Sequence, residues 1–396
     1  MGADARYHRP MADSYDVIVA GLGAMGSATA YHLARRGARV LGVEQFSSGH
    51  TLGSSHGDSR IIRELYYEHP LYVPLVQRAY ELWEELEKEA GADLLRVTGG
   101  VMLGAPASEL VRGAMLSGET HGIPAEVLER EEVVSRFPAF APPDGYVGVW
   151  DARAGYLRPE ACIEAHTALA RRAGATLRYE EPMLQWEADG DGVRVTTPSG
   201  EYRADRLALC VGAWTKSLLT ELGLPLRVER QVLVWFESPA PREWYGEDRF
   251  PIFMCELPSG RLVYGFPRLE RGVKMAIHHE GALHDSPEQV NRAVTPRDIE
   301  ALKESLGYFL PALSAADVRE SVTCIYTDTP DAHFLVDFHP RHPQVLFSTP
   351  CSGHGFKFSS AIGELQAELL LDGRSRFDVS PFGLSRLSTT GSGLES

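Results

Sequence analysis

Three glycines, one acid, two arginines and a late glycine-rich turn are the residues whose types and spacing can do chemistry. Gly21, Gly23 and Gly26 stand at G-x-G-x-x-G spacing directly after the β-branched run Asp16–Ala20. In such a turn the first glycine allows a tight bend, the second lets a pyrophosphate reach the backbone, and the third lets helix pack on strand. The helix start then offers unpaired N–H groups and partial positive charge to phosphates. Glu44, about 20 residues further on, is placed to accept ribose hydroxyls. An acid there argues against NADP, whose 2′-phosphate wants a cation, while FAD and NAD both remain open. Arg60 and Arg63 follow a Gly/Ser-rich approach, His50–Ser59. Locally they read equally as solvated surface arginines or as an anion site. Gly212-Ala213-Trp214 ends a buried run, where a glycine lets backbone approach a ligand. Ser352–Lys357 (SGHGFK) opens the last helix and is a second place for an anion or carbonyl.

The surrounding pattern supplies elements to hold these residues. Helical spacing is expected over Ser27–Arg36, stopped by Gly37, and over Tyr72–Ala90, capped by Gly91. Further helices are expected at Ala107–Thr120, Glu131–Phe137, Arg158–Gly174, Thr295–Leu310 and Ser359–Leu371. His50–Arg63 reads as a loop running into a helix or an extended segment; on a helix, Arg60 and Arg63 would share one side. Arg39–Val43, Val97–Gly104, Thr176–Tyr179, Met183–Glu187, Val193–Thr197, Glu201–Arg203 and Arg206–Val211 read as strands. Pro138–Gly148 reads as a connection. From Leu226 the texture changes to alternating strands, Val228–Glu237, Arg261–Phe266 and Val273–His278, which suit an antiparallel sheet. Ser321–Tyr326, His333–Val336 and Gln344–Ser348 complete the strand pattern.

At 396 residues the chain is long for one core, so two domains are expected. A net charge of −15 argues against nucleic acid and disfavours an anionic membrane surface. No apolar stretch approaches the 18 or so residues of a membrane span, and the polar N-terminus has no signal core. Met11 fits a late start, and residues 1–13 and 386–396 read as flexible tails. The five cysteines, Cys162, Cys210, Cys255, Cys324 and Cys351, are odd in number and widely spaced. They argue against a disulfide framework or a metal site and fit a reducing cytoplasm.

Taken in order, the motifs resemble the monomeric sarcosine oxidases and their N-methyltryptophan, pipecolate and, more remotely, fructosyl-amine oxidase relatives. The resemblance runs from Tyr15 to about Leu371. It rests on YDVIVAGLGAMGSATAYHLARRG, SSHGDSRIIR, YVPLVQRAYELWEELE, GAW at Gly212, YGFP at Tyr264, TCIYTDTPDAHFLVD at Thr323 and SGHGFKFSSAIGEL at Ser352. It implies an α/β (α+β) fold: a Rossmann-type FAD-binding domain (14–90, 150–225 and 320–385) and an inserted antiparallel-sheet substrate domain (91–149 and 226–319). It implies FAD joined to Cys324 by an 8α-S-cysteinyl bond. The implied cofactor contacts are Gly21, Gly23, Gly26, Glu44, Ser55, His56, Ser59, Arg60, Met183, Gly212, Trp214, Gly353, Gly355 and Lys357.

Arg63 and Lys357 match the pair that binds the substrate carboxylate, and Tyr326 follows the attachment cysteine on the substrate side. Lys274 matches the lysine that promotes reaction with O2, Arg60 the arginine beside the flavin, and His278 and Tyr264 substrate-side residues. Local sequence alone would make Lys274 a surface lysine in a strand and His278-His279 a solvated pair. The implied reaction is oxidation of the C–N bond of sarcosine or another secondary amino acid by a cytoplasmic monomer, with O2 reduced to H2O2. The alternatives are a same-fold dehydrogenase using another acceptor, or an oxidase of pipecolate or proline analogues. Two departures stand out. Pro350-Cys351 replaces the family's Gly-Phe and brings a second cysteine near the flavin. Leu65–Pro70 (LYYEHP) replaces a more glycine-rich loop beside the substrate, which points to a wider substrate range.

Overall fold

The computed structural model describes residues 14–388, and an eight-stranded sheet carries the nucleotide motif at its centre. Ser14–Ala20 runs parallel to Val40–Val43 on one side and to Gly200–Leu209 on the other. Thr176–Arg178 adds in parallel beyond Val40–Val43, and His342–Thr349 adds in parallel to the end of Gly200–Leu209. Parallel strands covered on both faces are apolar throughout, and Val17, Ile18 and Val19 are fully buried. Gln185–Asp189 and Gly192–Thr197 complete an antiparallel meander on one edge. Helices Ala24–Arg35, Val73–Ala90, Pro159–Arg172 and Ser359–Asp372 share one apolar core with this sheet, including Leu33, Val76, Trp83, Leu169 and Leu365.

A nine-stranded sheet lies apart from it in pairing. Arg227–Phe236, Gly272–His278, Leu262–Leu269 and Ile252–Glu256 form its antiparallel middle. Gly100–Gly104 joins Ile252–Glu256 in parallel, followed by Val147–Asp151 and Glu126–Glu129. Its core is aromatic, with Phe140, Phe236, Phe250, Phe253 and Phe309 buried together. A third, three-stranded sheet joins Arg60–Ile62, Gly155–Leu157 and Leu95–Val97.

Of the two readings of His50–Arg63 the extended one holds: Arg60–Ile62 is a strand, so Arg60 and Arg63 do not share a helix side. Several other expectations change. The first helix starts at Ala24, three residues before the expected Ser27, because Gly23 itself is its N-cap. The two runs expected at Glu201–Arg203 and Arg206–Val211 merge into one ten-residue strand, Gly200–Leu209, which stops short of Cys210. Val97–Gly104 is split between two sheets. Ile252–Glu256 gave no sequence signal because four of its five residues are buried, which removes the alternation that marks a half-buried strand. Val318–Asp328 was grouped with the nucleotide segments from residue 320, yet it pairs along its length with Arg227–Phe236 in the nine-stranded sheet. The tail expected over 1–13 and most of 386–396 lies outside the described residues. Arg386 does not fit a free tail, since its Nε donates to Asp331 Oδ2 at 2.7 Å.

Candidate active site

One cavity of about 650 Å³ is lined both by the glycine turn and by residues expected at the reaction centre. At the turn, Gly21 has φ +85°, and a Cβ there would come within 2.5 Å of the Cys210 carbonyl oxygen. A Cβ on Gly26 would overlap the Gly21 carbonyl oxygen, so only glycine lets the helix sit this close to the turn. Gly23 is different: a Cβ there would meet only Ser55 Oγ at 3.9 Å, so the space before it is open. The helix Ala24–Arg35 has no side-chain cap and no acid in its first turn, which leaves its N–H groups for a phosphate. Glu44 accepts Leu22 N at 2.8 Å on one oxygen and Phe46 N at 3.1 Å on the other. Each oxygen keeps a lone pair for a ribose hydroxyl. Ser55, Met183, Gly212 and Trp214 line the same cavity. These residues fit a flavin dinucleotide.

Two cations, the half-buried Arg60 and the buried Lys274, lie near Cys324. Arg60 donates to the carbonyls of Ser59 at 2.8 Å and Ser54 at 2.7 Å, and its Nη2 is 3.6 Å from Cys324 Sγ. Cys324 is 1% exposed and, like the other four cysteines, free. Burial pushes the thiol of Cys351 up to about 12. Lys274 is buried, which overturns the surface lysine of the local reading. The register that puts Lys274 opposite Trp235 turns its Nζ onto Gly57 O at 2.6 Å, Ser59 O at 2.7 Å and Ser59 Oγ at 3.2 Å. Burial, then Arg60, lower its pKa well below 10.5. Three acceptors match the three protons of an ammonium. His56, buried beside these cations, is pushed down to about 3 by burial and then by Arg60 and Lys274, which keeps it neutral. Gly26, His56, Ser59 and Lys274 stand behind the cavity wall, while Arg60 and Cys324 form part of it.

The carboxylate-binding candidates meet on another stretch of the wall. Arg63 is 1% exposed and Lys357 5%. Lys357 Nζ donates to His354 O at 2.7 Å and to Tyr66 OH at 3.4 Å. Burial and then Arg63 push its pKa down to about 7. His354 Nε2 lies 3.0 Å from Ala332 O and donates to it, so Nδ1 accepts the Tyr66 hydroxyl at 2.6 Å. Tyr264, His278 and Tyr326 form an aromatic group: His278 Nδ1 is 3.2 Å from Tyr326 OH, and the two hydroxyls are 3.5 Å apart. Burial, then His279, hold His278 well below 6.5, so its ring is neutral. Gly353 and Gly355 line the cavity on the loop that carries Lys357.

Sequence reasoning missed several partners. Glu68 is the ion-pair partner of Arg63; its only signal was its place in the departing LYYEHP loop. Glu160 accepts Gly57 N at 2.6 Å and so holds the loop that Lys274 binds. No metal site was expected, yet Glu229, His279 and Asp328 bring ligand-type atoms within 4.8 Å of one another. His279 Nδ1 lies 2.7 Å from Glu229 Oε2, while both Asp328 oxygens are buried without a hydrogen-bond partner.

Residues 16–369 match the DAO family, FAD dependent oxidoreductase. The chain is 43% identical over 385 residues to a monomeric sarcosine oxidase of Streptomyces avermitilis, covering 96% of this chain and 99% of that one. It is 36% identical to an N-methyl-L-tryptophan oxidase of Escherichia coli, covering 94% and 99%. Among solved structures it resembles NikD, an unusual amino acid oxidase essential for nikkomycin biosynthesis, with TM-score 0.81, 26% identity and 94% and 97% of the two chains covered. With a glycine cradle for a dinucleotide and this similarity over nearly its whole length, the chain belongs to the FAD dependent oxidoreductase family.

Proposed function

We propose that this chain is a flavin-dependent amine oxidase that cleaves the C–N bond of sarcosine or another N-methylated or secondary amino acid. One observation carries the reading: the cavity that begins at the Gly21–Gly26 turn is also lined by a buried arginine and lysine, Arg63 and Lys357. The names of the sarcosine and N-methyl-L-tryptophan oxidases support the substrate class. Bound FAD supplies the two-electron oxidation and passes the electrons to O2. For an N-methyl substrate the balance is one amine, one O2 and one water to the demethylated amino acid, formaldehyde and H2O2.

The protein supplies position and charge. Arg63 and Lys357 hold the carboxylate, and Tyr264, His278 and Tyr326 wall the amine end. Arg60, Arg63 and Lys357 disfavour a further positive charge nearby, so the substrate amine is held neutral with its lone pair available. Cys324 is the attachment thiol. Arg60 Nη2 lies 3.6 Å from its sulfur, while Cys351 is held protonated by burial. Lys274 is the fixed cation that stabilises charge developing on oxygen. The FAD-binding domain comprises 14–90, 150–225 and 320–385, apart from the strand that carries Cys324, and the enzyme works as a cytoplasmic monomer. Among the described residues no helix is long and apolar enough to cross a membrane.

The test is anaerobic mixing of the purified holoenzyme with sarcosine, N-methyl aromatic amino acids, proline and pipecolate. A secondary amino acid should bleach the flavin, and air should restore the colour with release of peroxide. No bleaching by any of them would overturn the reading. Bleaching without peroxide on return of air would replace the oxidase with a dehydrogenase.

A further inference from the structure

The arginine expected to hold the substrate carboxylate already holds one. Arg63 Nη2 donates to both oxygens of Glu68, at 2.7 and 2.6 Å. The guanidinium is stacked against Tyr66 and Tyr67, with its carbon 4.3 and 4.8 Å from their ring centres. The pair is not the strongest these groups can make. Both Glu68 oxygens share one nitrogen, Nη1 donates to Leu65 O at 3.2 Å, and the buried Nε has no partner. A carboxylate bound fork to fork would use two nitrogens, and such bidentate pairs are the stronger arrangement. Arg63 therefore has donor capacity that Glu68 does not use.

The loop around Glu68 is tied at both sides of it. The N–H groups of Glu64 and Leu65 donate to Asp151 Oδ2 at 2.7 and 3.0 Å, and Ser117 Oγ donates to Tyr66 O at 2.5 Å. Beyond it, Leu71 N donates to His69 Nδ1 at 3.1 Å. The Glu68 side chain itself has Arg63 as its one ion-pair partner among the described residues, and it lines the cavity. It can leave Arg63 by rotating its own side chain while the backbone stays pinned. Its side chain is 16% exposed, so water is at hand for the carboxylate when it leaves.

We propose that Glu68 is an internal stand-in for the substrate carboxylate: it occupies Arg63 in the ligand-free enzyme, and a substrate or inhibitor carboxylate binds by exchanging for it. The proposal rests on Arg63 and Lys357 being the substrate anchor. Its effect is that Arg63 is never left as an unpaired buried charge, a costly state, and the cost is borne by carboxylate ligands, which must displace Glu68, and not by neutral ones.

The test is titration of the holoenzyme with methylthioacetate and with its amide, followed by flavin absorbance. Wild type, Glu68→Gln and Glu68→Asp are compared. Glu68→Gln should bind the carboxylate at least about tenfold more tightly and the amide with unchanged affinity. Glu68→Asp, too short to keep both contacts, should fall between, and it preserves the charge if the glutamine variant folds poorly. Unchanged or weaker carboxylate binding in both variants would overturn the exchange and make Glu68 part of the anchor's scaffold. Equal wild-type affinity for carboxylate and amide would instead overturn the anchor itself, and the exchange with it.

Discussion

Carboxylate binding should weaken sharply above neutral pH, because one of the two anchoring cations loses its proton there. Burial and the nearby Arg63 hold Lys357 at about 7 in the ligand-free protein. A bound carboxylate favours the charged form and raises that value. Binding is then strong and level below pH 7, where Lys357 already carries its proton. As pH rises through 7, free energy must be spent to reprotonate it. With a midpoint at pH 7, the apparent Kd at pH 8.5 rises by 1 + 10^1.5, about 30-fold or about 2 kcal/mol, provided the bound-state value lies above 8.5. The other groups facing Lys357 do not change charge in this window. His354 is pushed down to about 4 and His278 lies well below 6.5. Burial pushes Glu68 up but Arg63 outweighs it and keeps it below the usual carboxylate value, and Tyr66 is raised well above 10 by burial. The assay is inhibitor titration by flavin absorbance from pH 6 to 8.5 at constant ionic strength, for wild type and Lys357→Met. The variant should bind about 10- to 100-fold more weakly at pH 6, the worth of a hydrogen bond to a charged group, and show no slope. A flat wild-type profile, or a slope that survives in Lys357→Met, would refute the reasoning.

Acid-denatured enzyme should keep its yellow colour in the pellet, and the flavin peptide should contain Cys324; colour released to the supernatant, or a flavin peptide containing Cys351, would count against the assignment. Lys274→Met should slow flavin reoxidation by about 100- to 1,000-fold, about 2.7–4 kcal/mol, while leaving reduction by substrate nearly unchanged in stopped-flow traces; equal slowing of both half-reactions would make Lys274 a scaffold residue. Both Asp328 oxygens are buried without a hydrogen-bond donor, and burial raises its carboxyl to about 7, against 3.8 in an unfolded chain. The protonated form is thus favoured by folding, and its stabilisation is lost as pH rises from about 4 through 7. Asp328→Asn should therefore raise the Tm by about 1–3 °C at pH 8.5 and by under about half as much near pH 5, by calorimetry.

The nucleotide turn was legible because its demands are local. Gly21 needs a positive φ, Gly26 must clear the Gly21 carbonyl, and Glu44 must reach Leu22 N one strand over. Lys274 and His278 were legible only through the family resemblance. Their strand alternates as any half-exposed strand does, and nothing near them in sequence shows that pairing with Arg227–Phe236 turns Lys274 onto the Gly57–Ser59 backbone. Arg63 was read as an anion binder, but not as one already paired. That pairing depends on how an extended segment and the following loop bend back over five residues, which periodicity does not encode. Ile252–Glu256 was missed for a related reason, since burial on both faces erases the pattern that strands are read by.

The four cations of the site differ in one respect that bears on the chemistry. The protein as a whole carries a charge of −15. Yet Arg60, Lys274 and Lys357 have no carboxylate within ion-pair distance among the described residues. Their protons go to uncharged acceptors: the carbonyls of Ser54 and Ser59, of Gly57 and Ser59, and of His354. Such acceptors satisfy the hydrogen bonds but leave the net charge in place, so the cavity keeps a positive potential that a low-dielectric interior screens poorly. That potential opposes protonation of a bound amine and favours electron density arriving on the cofactor. Arg63 alone among the four is neutralised by a side-chain acid. If Glu68 were there only to ease the burial of charge, Lys274, 2% exposed and with its pKa lowered by burial, would need such a partner as well. A counter-ion confined to the cation proposed to meet the substrate anion is what an exchangeable placeholder requires.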